Sequence, residues 1–262
     1  MKIAIVTGAS SGIGREFARQ IPRLYRQLDE IWLVARRKER LQELKNELAV
    51  PVRIFDGDLR RDSIYERLSR ELILHRPDVR MLVNSAGCGR IGNFTETDLN
   101  GQMHMLDINC RALTRMTALC LPYMGRGSRL IQLASAAAFC PQPGFAVYAA
   151  TKSYVYSLSR ALSVECRKKG IVVTAVCPGP VDTEFFDHTG RKSGNGKKAF
   201  RVQAPFVVRQ ALLDAAYGKQ VSVYGLPMKI ARVAAHLLPD RFLAMVMARV
   251  SVDSEKEEKE GI

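Results

Sequence analysis

The sequence predicts an α/β fold: a doubly wound parallel sheet of seven strands with helices on both faces, followed by a carboxyl-terminal helical extension. Two observations carry that expectation. Short continuous apolar runs alternate with amphipathic helical stretches, and no linker, low-complexity run or internal repeat interrupts them. The chain is also long enough, at 262 residues with 47% hydrophobic content, to build one large core. Residues 1–225 are expected to form the main domain and 226–252 a helical extension of it. Residues 253–262 are expected to be a charged, disordered tail.

Composition narrows the function classes. Cys88, Cys110, Cys120, Cys140, Cys166 and Cys177 form no CxxC pair, and they read as reduced thiols of a cytoplasmic protein. The four histidines, at 75, 104, 188 and 236, have no metal-ligand spacing, so no metal is expected. A formal charge of +14 suits an anionic partner, yet the arginines spread along several predicted helices as a solvated surface. No recognition motif accompanies them, so no nucleic-acid partner is expected.

Lys2-Ile3-Ala4-Ile5-Val6 is an apolar run of the kind that forms a strand buried on both faces. It begins so near the first methionine that no targeting peptide is expected. Gly8, Gly12 and Gly14 follow, with Ser10, Ser11 and Ile13 between them, and then a helix over about 15–26. At a first strand-to-helix crossing, such glycines let a pyrophosphate approach the backbone while the helix offers it free N–H groups. The second strand, Ile31 to Ala35, ends without the acid that usually takes an adenosine ribose, and Arg36 and Arg37 come next. Two guanidiniums suit a 2′-phosphate, so NADP(H) is expected in preference to NAD(H).

A helix over 38–48 leads to the third strand, Val52 to Phe55, then to Asp58-Leu59 and a helix over 61–75. The fourth strand, Val79 to Val83, ends in Asn84-Ser85-Ala86-Gly87, small residues suited to lying against a flat ligand. A long helical region over 98–124 carries Asn109, and a fifth strand, Arg129 to Ala134, delivers Ser135 at its end. The next helix, running to about residue 168, places Tyr148 and Lys152 on one face, one turn apart. A cation so placed is expected to lower the phenol's pKa from its usual value of about 10. The sixth strand, Val172 to Val176, gives way to Cys177-Pro178-Gly179-Pro180-Val181-Asp182-Thr183; a helix over 205–217 and a seventh strand, Val221 to Tyr224, complete the sheet. Each motif falls at the carboxyl end of a strand, where sheets of this kind bind ligands.

Together these motifs resemble the short-chain dehydrogenase/reductase family in its single-domain form of about 250 residues. The resemblance implies a Rossmann-like fold. Residues 7–14 match the family's cofactor loop, and Asp58-Leu59 matches the acid that holds the adenine amino group. Asn84, Ala86 and Gly87 match the brace beside the cofactor, with Ser85 standing where the family usually has a second asparagine. Pro178, Gly179, Val181 and Thr183 match the segment that contacts the nicotinamide carboxamide. Asn109, Ser135, Tyr148 and Lys152 match the catalytic tetrad. By resemblance the protein interconverts a secondary alcohol and a ketone by hydride transfer, with Tyr148 as general acid/base and Ser135 holding the same oxygen. Lys152 would hold the nicotinamide ribose beside the tyrosine, and Asn109 would order a water relay to solvent.

In this family the substrate pocket is built from the turn after the serine strand and the flap after Thr183. Here the turn is small and apolar, with Ala137 in it, and Phe145 and Phe185 add apolar area. A hydrophobic substrate is therefore expected, such as a steroid, a bile acid or another lipid. A 3-oxoacyl thioester is the alternative, and a non-catalytic NADPH-sensing regulator is the alternative of another class. The flap from His188 to Arg201 is either a solvated loop or an anion clamp built from Arg191, Lys192, Lys197 or Lys198. Two apolar pieces, Met228 to Leu238 and Phe242 to Val250, fall short of the ~20 apolar residues that span a bilayer. They are candidates for a lid, a dimer surface or a peripheral membrane contact. Relatives commonly form homodimers or homotetramers, which sets the same expectation here.

Overall fold

A computed structural model describes residues 1–186, 189 and 201–249 of the chain. The clamp candidates Arg191, Lys192, Lys197 and Lys198, and the charged tail, lie outside the described residues. Seven strands form one parallel sheet: β1 (Lys2–Thr7), β2 (Glu30–Ala35), β3 (Val52–Asp56), β4 (Asp78–Asn84), β5 (Arg129–Leu133), β6 (Val172–Val176) and β9 (Val221–Ser222). Their spatial order is β3-β2-β1-β4-β5-β6-β9, while the two-residue strands β7 (Val181–Asp182) and β8 (Val202–Gln203) pair separately.

The alternation of side chains along each strand explains why both faces are covered. On β1, Ala4 and Val6 enter one core, shared with the helices α1 (Gly12–Leu24), α2 (Lys38–Glu47) and α7 (Ala204–Ala216). Ile3 and Ile5 enter the other, shared with α3 (Asp62–His75) and α5 (Leu113–Cys120). The helix α6 (Ala146–Glu165) lies on that second side, where its Val155 packs with Ala134, Ala175 and Cys177. Trp32 is wholly buried beside Phe55, with ring centroids 5.1 Å apart.

The elements fall where the apolar runs place them, with three differences. The first helix begins at Gly12 rather than near residue 15, because the last two loop glycines already take part in its first turn. The seventh strand has two residues instead of four, since it reaches only Ala175 and Val176 of β6. The long helical region over 98–124 is not one rod: α4 (Leu99–Leu106) runs into a π-helical turn, Asp107–Ala112, before α5, and Leu121–Tyr123 closes it as a 3₁₀ turn. One widened turn of this kind is frequent at functional sites, and this one carries Asn109. Beyond the sheet lie α8 (Leu226–Leu237) and a helix α9 over 240–249. No helix among the described residues is long and apolar enough to cross a membrane.

The glycine loop is where packing is tightest. A Cβ on Gly14 would stand 2.3 Å from the Gly8 carbonyl oxygen, so the absence of a side chain lets α1 approach the end of β1. Gly14→Ala is therefore expected to cost about 1–3 kcal/mol through overpacking against backbone. The check is a urea unfolding curve, in which an unchanged midpoint would show that the loop can yield.

Candidate active site

The sheet reverses its direction of growth between β1 and β4, leaving a crevice at their carboxyl ends. The floor of that crevice is held by one hydroxyl. Thr7 Oγ1 accepts the backbone N–H groups of Ser85 and Ala86, each at 3.1 Å, and donates to the Val83 carbonyl at 3.4 Å. Gly8 has φ +70°, and a Cβ there would lie 2.8 Å from the Ala86 nitrogen. Gly12 has φ +52°, and its Cβ would lie 3.2 Å from the Thr183 side chain. At Gly8 and Gly12 the loop thus presents bare backbone to the end of β4 and to the segment that follows β6. Ser11 makes no side-chain cap to α1, so the first N–H groups of that helix stay free of a side-chain acceptor.

The four tetrad candidates converge beside this loop. The Ser135 hydroxyl lies close enough to Tyr148 to draw the phenol's pKa down, and Ser135 Oγ accepts the Ala137 N–H at 3.1 Å. One turn along α6, Lys152 Nζ donates to the Leu133 carbonyl at 2.8 Å and lies 5.7 Å from the centre of the Tyr148 ring. It would stand 3.5 Å from a Cβ on Gly87, which places the ammonium on the crevice floor. Asn109 pairs with the backbone of Cys88 in both directions at 2.9 Å: its Oδ1 accepts the N–H and its Nδ2 donates to the carbonyl. The same Nδ2 donates to Thr151 Oγ1 at 2.9 Å, and Thr151 in turn donates to the Tyr148 carbonyl at 2.7 Å. The π-turn is therefore stitched both to the loop after β4 and to the helix that carries tyrosine and lysine.

The electrostatics correct one expectation. Spacing alone predicts that Lys152 lowers the pKa of Tyr148, but burial pushes the phenol up to about 12, opposed only by the nearby Ser135 hydroxyl. Burial also brings Lys152 down to about 8. Both charged forms are disfavoured for the same reason, loss of water, and the ammonium is directed at the Leu133 carbonyl rather than at the phenol oxygen.

At the carboxyl end of β2, the two arginines differ in their contacts. Arg36 is exposed and has no ion pair among the described residues. Arg37 donates to Glu184 at 2.8 Å and reaches Ser10 Oγ at 3.3 and 3.4 Å, while Arg40 also donates to Glu184. The two guanidiniums hold the Glu184 carboxyl below its usual range. Asp58 is gripped by Arg60 through its N–H at 2.9 Å and its guanidinium at 2.5 Å, which depresses its pKa. The Leu59 carbonyl accepts the Tyr65 hydroxyl at 2.7 Å. Asn84 braces the sheet end through Gln132 and Thr117 at 2.9 and 3.0 Å, leaving its buried Oδ1 without a partner among the described residues.

On the other side, aromatic rings close over the phenol. Phe145 stacks on Tyr148 with centroids 4.1 Å apart, and Phe185 leans in at 5.5 Å. Ala137 is buried in the same cluster. The Pro178 carbonyl accepts the Ala136 N–H at 2.8 Å, Val181 is buried, and Met228 of α8 lies against Gly179. All six cysteines are free thiols, and burial raises Cys88, beside the tetrad, to about 11. Sequence reasoning missed Glu184, Arg40 and Thr151. Only Thr151 had a local signal, as a hydroxyl lying between Tyr148 and Lys152 on the same helix.

A parallel sheet with a glycine loop at its switch point and a Ser-Tyr-Lys cluster beside it defines a dinucleotide-type oxidoreductase site. Residues 2–194 match the family described as short chain dehydrogenase, and the chain belongs to that family. A sulfoacetaldehyde reductase of Chromohalobacter salexigens is 35% identical over 70% of this chain and 74% of its own. The 17-beta-hydroxysteroid dehydrogenase type 3 of Mus musculus is 30% identical over 72% of this chain and 63% of its own. A short-chain dehydrogenase from Sphingobium yanoikuyae, solved in complex with NADPH, superposes with a TM-score of 0.76 at 29% identity, covering 97% of this chain and 96% of that one.

Proposed function

We propose that this oxidoreductase uses NADP(H) to interconvert a secondary alcohol and a ketone on a hydrophobic substrate, with Tyr148 as general acid in reduction and general base in oxidation. The observation that carries the proposal is the placement of the Tyr148 phenol beside the Ser135 hydroxyl, one helical turn from the buried Lys152, at the rim of the glycine-floored crevice.

The residues present fit such a cofactor. Gly8, Gly12 and Gly14, with Ser10, Ser11 and Ile13, would take the pyrophosphate on backbone N–H groups; Arg36 and Arg37 would take the 2′-phosphate, and Asp58 and Leu59 the adenine. Asn84, Ala86 and Gly87 would line the ring's bed, with Pro178, Gly179, Val181 and Thr183 on the carboxamide. Lys152 is the strongest sign of fit: a buried ammonium with one carbonyl acceptor has donors to spare for ribose hydroxyls. When bound, the nicotinamide supplies or accepts the hydride. The chain's own part is protonic. Tyr148, neutral at pH 7 because burial raises it, is already in the form that donates to a carbonyl oxygen gaining charge. Ser135 holds that oxygen with a second hydroxyl, and Asn109 fixes the relative placement of the Gly87 loop and α6. By resemblance, the widened turn at Asn109 would also admit the water that returns a proton through Lys152.

Phe145, Phe185 and Ala137 make the substrate side apolar, and the hydroxysteroid dehydrogenase among the relatives supports a lipid-like substrate. Exposed Leu99, Met103 and Leu106 on α4 and Tyr154 and Val164 on α6 support pairing of copies through these helices into a dimer or tetramer. The test is NADPH oxidation against panels of steroid, bile acid, acyl thioester and small carbonyl substrates. A companion measurement compares kcat/KM for NADPH and NADH. The preference for NADPH is expected to be about 10- to 100-fold, the worth of a charge-assisted contact to phosphate, and to shrink in Arg36→Ala. A wild-type preference for NADH would refute the assignment of the arginines.

A further inference from the structure

The two helices after the sheet turn apolar side chains outward. Along α8, Leu226, Ile230, Val233 and Leu237 recur at helical spacing and are 59–77% exposed. Met228, on the opposite side of the helix, lies against Gly179 and joins the core around Val223 and Phe139, so the stripe faces away from the body of the protein. On α9, Leu243 is buried, whereas Phe242, Met245 and Val246 are 41–55% exposed, with Arg241 and Arg249 exposed on the same outer face. Residues 226–249 contain four Lys/Arg against a single acid, Asp240; Arg232 is half-buried and acts on the buried Cys177, leaving Lys229, Arg241 and Arg249 exposed.

We propose that this outer surface of α8 and α9 rests on an anionic phospholipid bilayer. An apolar stripe bordered by cations is the pattern of helices that lie in the plane of a membrane interface, where the stripe enters the acyl boundary and the cations meet anionic headgroups. Neither helix is long enough to span the bilayer. Charge decides between lipid and a second copy. Two copies joined through this surface would set its excess cations against each other, while an anionic headgroup layer neutralises them. The surface also adjoins the substrate side: α8 lies against the 3₁₀ turn Ala136–Phe139. If the proposed apolar substrate is correct, it would enter from the lipid beside that turn; the docking itself does not depend on that reading.

The experiment floats the full chain with vesicles of phosphatidylcholine alone and of phosphatidylcholine with phosphatidylglycerol. It involves no turnover, so its outcome is separate from that of the redox proposal. Wild-type protein is expected to float with the anionic vesicles only. The double variant Ile230→Glu/Val233→Glu, altered only on the exposed stripe, is expected to lose about tenfold or more of the bound fraction, with its circular dichroism and melting unchanged. Equal flotation of wild type and variant, or no flotation of wild type, would overturn the proposal. So would a wild-type dimer, seen by light scattering, that the variant splits while neither protein binds vesicles, because the stripe would then belong to a second copy.

Discussion

Tyr148→Phe is expected to lower kcat by roughly a thousandfold, within the range that a positioned general acid contributes, while leaving affinity for NADPH nearly unchanged. The substitution removes one hydroxyl and almost no packing. The phenylalanine ring can keep its stack on Phe145 and its contact with Phe185, and Ser135 keeps its bond from the Ala137 N–H. Steady-state kinetics and a fluorescence titration with NADPH check the two halves separately. Retention of more than a tenth of the activity would remove Tyr148 from the proposed role. The pH dependence follows from the same environment. A phenol raised to about 12 is protonated throughout the neutral range, so reduction should hold steady until Lys152 loses its proton near pH 8. Oxidation, which needs the phenolate, should climb as pH rises.

Lys152→Met is expected to make the protein more stable at pH 7 while abolishing most of its turnover. The ammonium pKa is about 8 in the folded protein against an ordinary 10.5, so between those values the unfolded chain holds more protons. Stability therefore rises with pH across that window, and below pH 8 the full cost of burying the charge is present. That cost is roughly 3 kcal/mol, of which losing the hydrogen bond to the Leu133 carbonyl gives back about 1. Methionine fills similar space without a charge, so a gain of about 1–2 kcal/mol near neutral pH is expected, fading as pH rises from 8 to 10.5. Urea midpoints measured across pH decide it. A variant less stable than wild type at pH 7 would mean that the ammonium is better compensated than its single carbonyl partner suggests.

Much of this architecture is legible in the chain because each strand is a short apolar run ending in a motif. The strands from Ile3 to Val176 lie where those runs place them, and residues 7–14, 84–87, 109, 135, 148 and 152 all meet at one crevice. What spacing cannot show is burial. Tyr148 and Lys152 are four residues apart in any helix, but whether the phenol's pKa falls or rises depends on the water removed by Phe145, Phe185 and Ala137. Nor can it show partners distant in sequence. Glu184 meets Arg37 from 147 residues away, so a pair of arginines read as waiting for phosphate proves to be half engaged. The π-turn escapes notice because Asp107 to Ala112 has ordinary helical composition, and the partners that Asn109 finds there, Cys88 and Thr151, are distant in sequence.

The Glu184 bridge has a bearing on any attempt to re-engineer coenzyme choice. Its carboxylate is tied to Arg37 and Arg40, and its immediate neighbour, Phe185, leans over the phenol at the opposite end of the crevice. Editing Arg37 to favour a different dinucleotide also cuts a mooring line of the aromatic wall. With Arg37 and Phe185 in their proposed roles, selectivity for coenzyme and selectivity for substrate would be mechanically joined in this chain, and mutant libraries that vary the two independently should find that they do not segregate.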